Sequence, residues 1–144
     1  MYSRASAAMC KLNIIRKALN LCRDLHLIKN PNGSNIYYPY NPFVAEDSTY
    51  YTKELKTVKM EIIGKVENEG ILYRILGGDT TCSSYEGLGS FEYSSKVGSA
   101  WANVGFLGCA SEEIARHFGK YFGMLITEAK YGDLPDFEII ESKY

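Results

Sequence analysis

The most reactive side chain with a structural signal beside it is Cys109, two residues before Ser111 and the run Glu112-Glu113-Ile114. Ser111 suits the N-cap of a helix, and a thiolate close to a helix N-terminus is stabilised by the dipole, so Cys109 is the foremost candidate nucleophile. His117 is the nearest base in the sequence, but eight residues on from Cys109 it lies more than two turns away, roughly 10 Å by helical rise. The spacing therefore predicts no thiol–imidazole pair, and a buried, inert thiol is the simpler reading of Cys109.

A second candidate is the run Gly77-Gly78-Asp79-Thr80-Thr81-Cys82. It offers backbone amides, a carboxylate, two hydroxyls and a thiol, the ingredients of a phosphate or small-ligand cradle. No helix signal follows it, nor does a Gly-Lys-[Ser/Thr], so neither a Walker A loop nor a dinucleotide fingerprint is supported. The ligand-binding candidates are Asp79, Thr80, Thr81, Cys82 and Cys109, set against a plain flexible connection.

Cys22 and His26, four residues apart on a helix, make half a metal site, and no motif supplies the other half, so neither a metal nor a cofactor is expected. Glu61, Glu67, Glu69, Glu86 and Glu92 read as solvated positions, none forming a general acid–base pair. Ala115, Gly119 and Gly123 recur every four residues along one side of the second helix. Each glycine costs about 0.8–1.0 kcal/mol relative to alanine in a helix interior, so something must approach closely there. A sheet or the other helix of the same chain is the first expectation, and a homodimer contact at Gly119 and Gly123 is the alternative.

These groups need elements to hold them. Ala5, Ala8, Met9, Leu12, Ile15, Leu19, Cys22 and Leu25 recur every three or four residues and predict an amphipathic helix from Ser3 to about Leu27, with Lys11, Arg16, Asn20 and Arg23 on its solvent face. Asn30-Pro31-Asn32-Gly33 stops it. Ile36 to Phe43 holds two prolines and four aromatics and predicts an extended arm laid over the core. Residues 46–53 read as a loop.

Val58 to Ile62 and Ile71 to Leu76 predict a hairpin. A three-residue turn with Gly70 left-handed would set Val66 opposite Leu72 and Ile62 opposite Leu76. A long loop over 77–90 leads to a second hairpin, Phe91 to Val97 and Ala100 to Leu107, joined by Gly98-Ser99. The second helix starts at Ser111, carries Ile114, Phe118, Tyr121, Phe122 and Leu125 on its apolar face, and ends at Gly132 as a left-handed C′ residue. Phe137 to Ile140 is a last strand, suited to a sheet edge.

The result is a single α+β domain over residues 1–144, in the order α-β-β-β-β-α-β. It is a two-layer sandwich with a mainly antiparallel sheet of about five strands covered by an N-terminal and a C-terminal helix. With 46% apolar and 23% charged residues over 144 positions, a core large enough to dispense with disulfide staples is expected. No run approaches the ~20 apolar residues of a transmembrane helix, and no signal-peptide core is present, so a cytoplasmic protein is expected. The net charge of −1 divides unevenly, because residues 1–23 hold Arg4, Lys11, Arg16, Lys17 and Arg23 and no acid.

Three functional classes follow. The leading one is a binding module for a small molecule or protein, with its surface between the sheet, the aromatic arm and the 77–90 loop. The second is a thiol-dependent enzyme using Cys109 or Cys82. The third is a nucleic-acid or anionic-membrane contact through the basic first helix, a weaker fit because the body is acidic and the tyrosines do not interleave with the basic residues.

Overall fold

The computed structural model describes residues 3–20, 37–46, 61–77, 79–82 and 108–144. Along them run α1 (Arg4–Leu19), β1 (Tyr37–Tyr40), β2 (Phe43–Ala45), β3 (Glu61–Asn68), β4 (Ile71–Gly77), β5 (Asp79–Cys82), α2 (Glu112–Tyr131) and β6 (Phe137–Ser142). The α+β class and the two covering helices stand as expected. The expected second hairpin at 91–107 lies outside the described residues, as do residues 21–27 of the expected first helix.

The main sheet is antiparallel in the order β2-β4-β3-β6, and β1 and β5 form a separate antiparallel ribbon. The aromatic arm is thus not an unpaired lid: its two halves are β1 and β2, bent apart at Asn41-Pro42. Pro39 is accommodated because a two-stranded ribbon leaves an edge on which the missing N–H is not required. Residues 79–82, expected in a loop, form the partner strand of this ribbon.

The β3–β4 turn also differs from the expectation. Asn68 pairs with Ile71 and Val66 with Tyr73, leaving a two-residue turn in which Glu69 (φ 52°) and Gly70 (φ 78°) are both left-handed. Two positive φ values match the right-handed strand twist better than one. Ile62 nevertheless faces Leu76, because a bulge at Ile63 restores the register. That bulge turns Ile63 and Gly64 both toward α2: Ile63 Cδ1 lies against Gly123, and a Cβ on Gly64 would meet Met124 Sδ at 2.5 Å.

α2 packs against five of the other elements. It touches α1 on one side and β1, β3, β4 and β5 on the other. Ser111 caps it as expected, its Oγ accepting the Ile114 N–H at 3.2 Å, with Glu112 and Glu113 in the first turn. Its buried side is Ala115, Phe118, Gly119, Gly123, Ile126 and Thr127, a rotation of the expected stripe that leaves Tyr121 exposed. Gly132 ends the helix in right-handed geometry, φ −60°, so it is no left-handed C′ residue.

The small-residue stripe is filled by this chain. A Cβ on Gly119 would lie 3.1 Å from Pro39 Cβ, and one on Gly123 would lie 2.5 Å from Asn41 Nδ2. Both glycines are buried and present no surface to a second copy. Asn41 locks the approach from the sheet side, its Nδ2 donating to Leu76 O at 3.0 Å and Gly119 O at 2.8 Å.

α1 lies antiparallel on α2. Its start is tied near the end of α2 by Arg4–Glu128 (3.5 Å) and by the Ala5 N–H donating to Asp133 Oδ1 at 3.1 Å. Its other end reaches residues 108–110. Ala8 and Leu12 enter the core as expected, but Arg16 and Asn20, assigned to solvent by their chemistry, are fully buried on the same side.

Candidate functional site

Of the expected site residues, Cys82 and Cys109 flank Tyr37 on opposite sides, while Thr81, Thr80 and Asp79 run on along β5 opposite Tyr38, Pro39 and Tyr40. Tyr37 pairs with Cys82 of β5 on one side and with Cys109 on the other, the latter through Tyr37 N–H to Cys109 O at 3.2 Å and Cys109 N–H to Tyr37 O at 2.8 Å. Asn20, the C-cap of α1, completes this junction. Its Nδ2 donates to Gly108 O at 2.9 Å and its Oδ1 accepts the Ala110 N–H at 2.9 Å. The amide thereby serves as one more strand, satisfying the groups of residues 108 and 110 that face away from β1.

The chemistry this junction allows is narrow. Burial pushes the Cys109 thiol up to about 12 from its ordinary 9.0, against the opposing pulls of the nearby Arg16 charge and the Asn20 side chain. Cys109 is fully buried, whereas His117 is exposed and stacks on Tyr121 at 4.7 Å. The backbones of Cys82 and Cys109 lie on opposite sides of β1. Asp79, Thr80, Thr81 and Cys82 form no amide cradle, because successive amides of a strand point to opposite sides and cannot converge on one anion. Among the described residues no three His, Cys, Asp or Glu side chains are grouped as metal ligands, and Cys22 and His26 lie outside them.

One cluster escaped the sequence reading. Glu61, read as merely solvated, accepts from Lys143 Nζ at 2.7 Å, Lys120 Nζ at 3.0 Å and Tyr144 Oη at 2.9 Å. The Tyr144 ring packs edge-on against Tyr121 at 4.7 Å. Burial pushes the Glu61 carboxyl up, but the hydrogen bonds from Lys143, Lys120 and Tyr144 outweigh it and hold the group at about 2. Both lysine ammonium groups are raised, foremost by their hydrogen bonds to Glu61. The charges satisfy one another, so the cluster fastens the end of the chain to α2 and leaves no poised acid or base. A cleft of about 360 Å3 beside the β3–β4 turn is lined, among the described residues, by Glu46, Gly70, Ile71 and Leu72, and Glu46 is paired to Arg74 at 2.9 Å.

The outer side of α1 is the remaining candidate. At about 100° per residue, Ala7, Cys10, Ile14 and Ala18 fall on one pole, opposite Leu12, and span about 16 Å. Cys10, Ile14 and Ala18 are exposed, Ile14 by 71%, and Met9 by 36%. Lys11 and Lys17 lie on the two sides of this pole. The helix therefore has two apolar faces, one in the core and one in solvent. The spacing 7, 10, 14, 18 was open to inspection in the sequence, but the longer inward stripe overshadowed it.

The same geometry breaks up the basic face on which the nucleic-acid reading rested. Arg4 turns to Glu128 and the ring of Phe137, Arg16 is buried, and Arg23 lies outside the described residues. No helix among the described residues is long and apolar enough to cross a membrane.

No family model matches the chain, and no curated protein or solved structure matches it either.

Two measurements check this site. Iodoacetamide at pH 8, followed by peptide mass mapping, labels Cys10 readily, while Cys109 reacts only once denaturant opens the fold; labelling of native Cys109 at a rate comparable to Cys10 contradicts its burial. Because the folded Glu61 carboxyl sits below its ordinary 4.5, its contribution to stability is complete above that value and is lost as pH falls toward about 2. The fall in urea midpoint between pH 5 and pH 2.5 is accordingly smaller in Glu61→Gln than in the wild-type chain, and equal falls contradict the network.

Proposed function

We propose that this chain is a binding module for a protein partner, with the outer pole of α1 as its docking face. The observation that carries this reading is Ile14, 71% exposed in line with Ala7, Cys10 and Ala18 on a helix whose other face is already in the core. Single exposed apolar residues are ordinary, whereas a row of them at helical spacing fits a partner helix laid alongside. Small side chains at three of the four positions permit close approach, and Ile14 supplies the knob.

A second surface keeps some support. The β1–β5 ribbon places half-buried Tyr37, Tyr38 and Tyr40 beside residues 79–82, which is the neighbourhood of arm and loop that the sequence suggested for a small ligand. The thiol-enzyme reading loses its main candidate, since the sealed Cys109 holds its proton to about 12.

Backbone-amide NMR during titration with a neutral amphipathic helical peptide, bearing a Leu/Ala stripe on a Gln background, tests the reading. Shifts concentrated on residues 7–18, and absent in Ile14→Asp, are the expected result. Shifts confined to residues 37–40 and 79–82 assign binding to the ribbon instead, and no shift at millimolar peptide overturns the proposal for α1.

A further inference from the structure

The four-stranded sheet ends on β6, which pairs with β3 alone among the described strands. A strand bonded on one side leaves every second N–H and C=O on its other side to water, a template for one more strand. Glu138, Ile140, Glu141 and Ser142 are all exposed, so this edge lies open. Ile140, which has no partner on β3 because the register shifts there, is 48% exposed.

Charge decides what the edge can take. Directly opposed residues of antiparallel strands share a face of the sheet, so Glu138 stands beside Glu67 and Glu141 beside Lys65, all four on the face turned away from the core. Lys65 is held by Glu141 at 3.7 Å, whereas neither Glu67 nor Glu138 is paired with a cation among the described residues. Like charges directly opposite each other weaken a sheet, and three carboxylates to one ammonium leave this face net negative. On the other face Phe137 is part of the core and Ile139 packs against it.

We propose that the free edge of β6 binds an extended segment of a partner protein, added to the sheet as a fifth strand, in which basic and apolar side chains alternate. The alternation follows from the strand period of two: side chains on one face stand beside Glu138 and Glu141, and those on the other continue the apolar surface of Phe137 and Ile139. Lys or Arg on the first face gives Glu67 and Glu138 the cation they lack. A second copy is a poor occupant, because β6 holds two acids and no base, so that β6 against β6 sets four carboxylates along one seam. Acidic side chains commonly guard an edge strand, and the same guard selects a basic strand over a neutral or acidic one. Nucleic acid and anionic lipid meet the wrong sign. This surface is separate from the α1 pole, and the proposal does not rest on it.

The probes are short peptides with Val at alternate positions and Lys, Gln or Glu between them, N-methylated along one edge so that they present a single pairing edge and do not stack on one another. Binding to the full chain is read by fluorescence anisotropy and its place by backbone-amide NMR. The Lys peptide binds roughly threefold to tenfold more tightly than the Gln peptide at low salt, the Glu peptide binds more weakly than either, and the difference shrinks to under about twofold at 1 M salt. Shifts and new protection from solvent exchange fall on residues 137–142. Glu67→Gln with Glu138→Gln removes the preference and keeps Gln-peptide binding, with circular dichroism confirming that the two substitutions leave the fold intact. A Lys peptide N-methylated along both edges does not bind.

Equal affinity for the three peptides overturns the proposal, as does absence of binding by all three. Undiminished binding of the doubly methylated Lys peptide means charge attraction without strand addition, and shifts confined to residues outside β3 and β6 place the contact elsewhere; either result overturns it. A concentration-dependent dimer in sedimentation, with amide protection gained along β6, assigns the edge to a second copy and overturns it too.

Discussion

The approach of the α2 backbone to β1 and β3 is the constraint on which the remaining structure depends. It needs residues without side chains at Gly119 and Gly123, an inward methyl from Ile63, and a donor at Asn41 that reaches Leu76 O and Gly119 O together. The pieces are mutually dependent. The β3 bulge exists at the one position where it turns Ile63 toward Gly123, and the bend at Asn41-Pro42 divides the aromatic segment between two sheets so that both fall beneath α2. Two mid-helix glycines, costing together about 2 kcal/mol in propensity, are tolerated because closer packing and two buried hydrogen bonds offset them.

α1 is held differently, from its ends. Its N-terminal turn is fastened to Glu128 and Asp133, and Asn20 at its other end completes the backbone hydrogen bonding around Cys109. Between these fixings Ala8 and Leu12 meet α2. A helix clamped at both ends and buried along one face has no structural need for a second apolar face, which is why the exposed row around Ile14 is the part of the molecule that folding alone does not explain.

Much of the fold was legible because period and punctuation agreed. Ser111 followed by Glu112 and Glu113 marked the start of α2, the alternation in β3 and β4 marked the hairpin, and the spacing of Ala115, Gly119 and Gly123 announced a close neighbour. What was illegible came from chemistry overridden by tertiary contacts. Arg16 and Asn20 look like solvent residues, yet both lie inside, where Asn20 finds backbone groups some 90 residues away in sequence. Pro39 and Pro42 argued only against a central strand, and an edge ribbon and a bend accommodate both. Asp79 to Cys82 carry the composition of a loop, and only pairing with β1 makes them a strand. The same holds for the candidate sites: Cys109 was named from its place before a helix, but its burial came from β1 and α1, and the Glu61 network joins residues 82 and 83 positions apart, which no local pattern encodes.

The most direct test of this account is the stability of Gly123→Ala in the wild-type background and in Ile63→Val, by urea unfolding. Helix propensity alone makes Gly123→Ala stabilising by about 1 kcal/mol. The packing described here makes it a net loss of about 1–3 kcal/mol, since the new methyl meets Ile63 Cδ1 and the doubly bonded Asn41 amide. The loss should shrink by at least about 0.5 kcal/mol once Ile63→Val removes the opposing methyl. A Gly123→Ala variant that is neutral or more stable, with no coupling to residue 63, would contradict the close approach of α2 from which the rest of the structure was built.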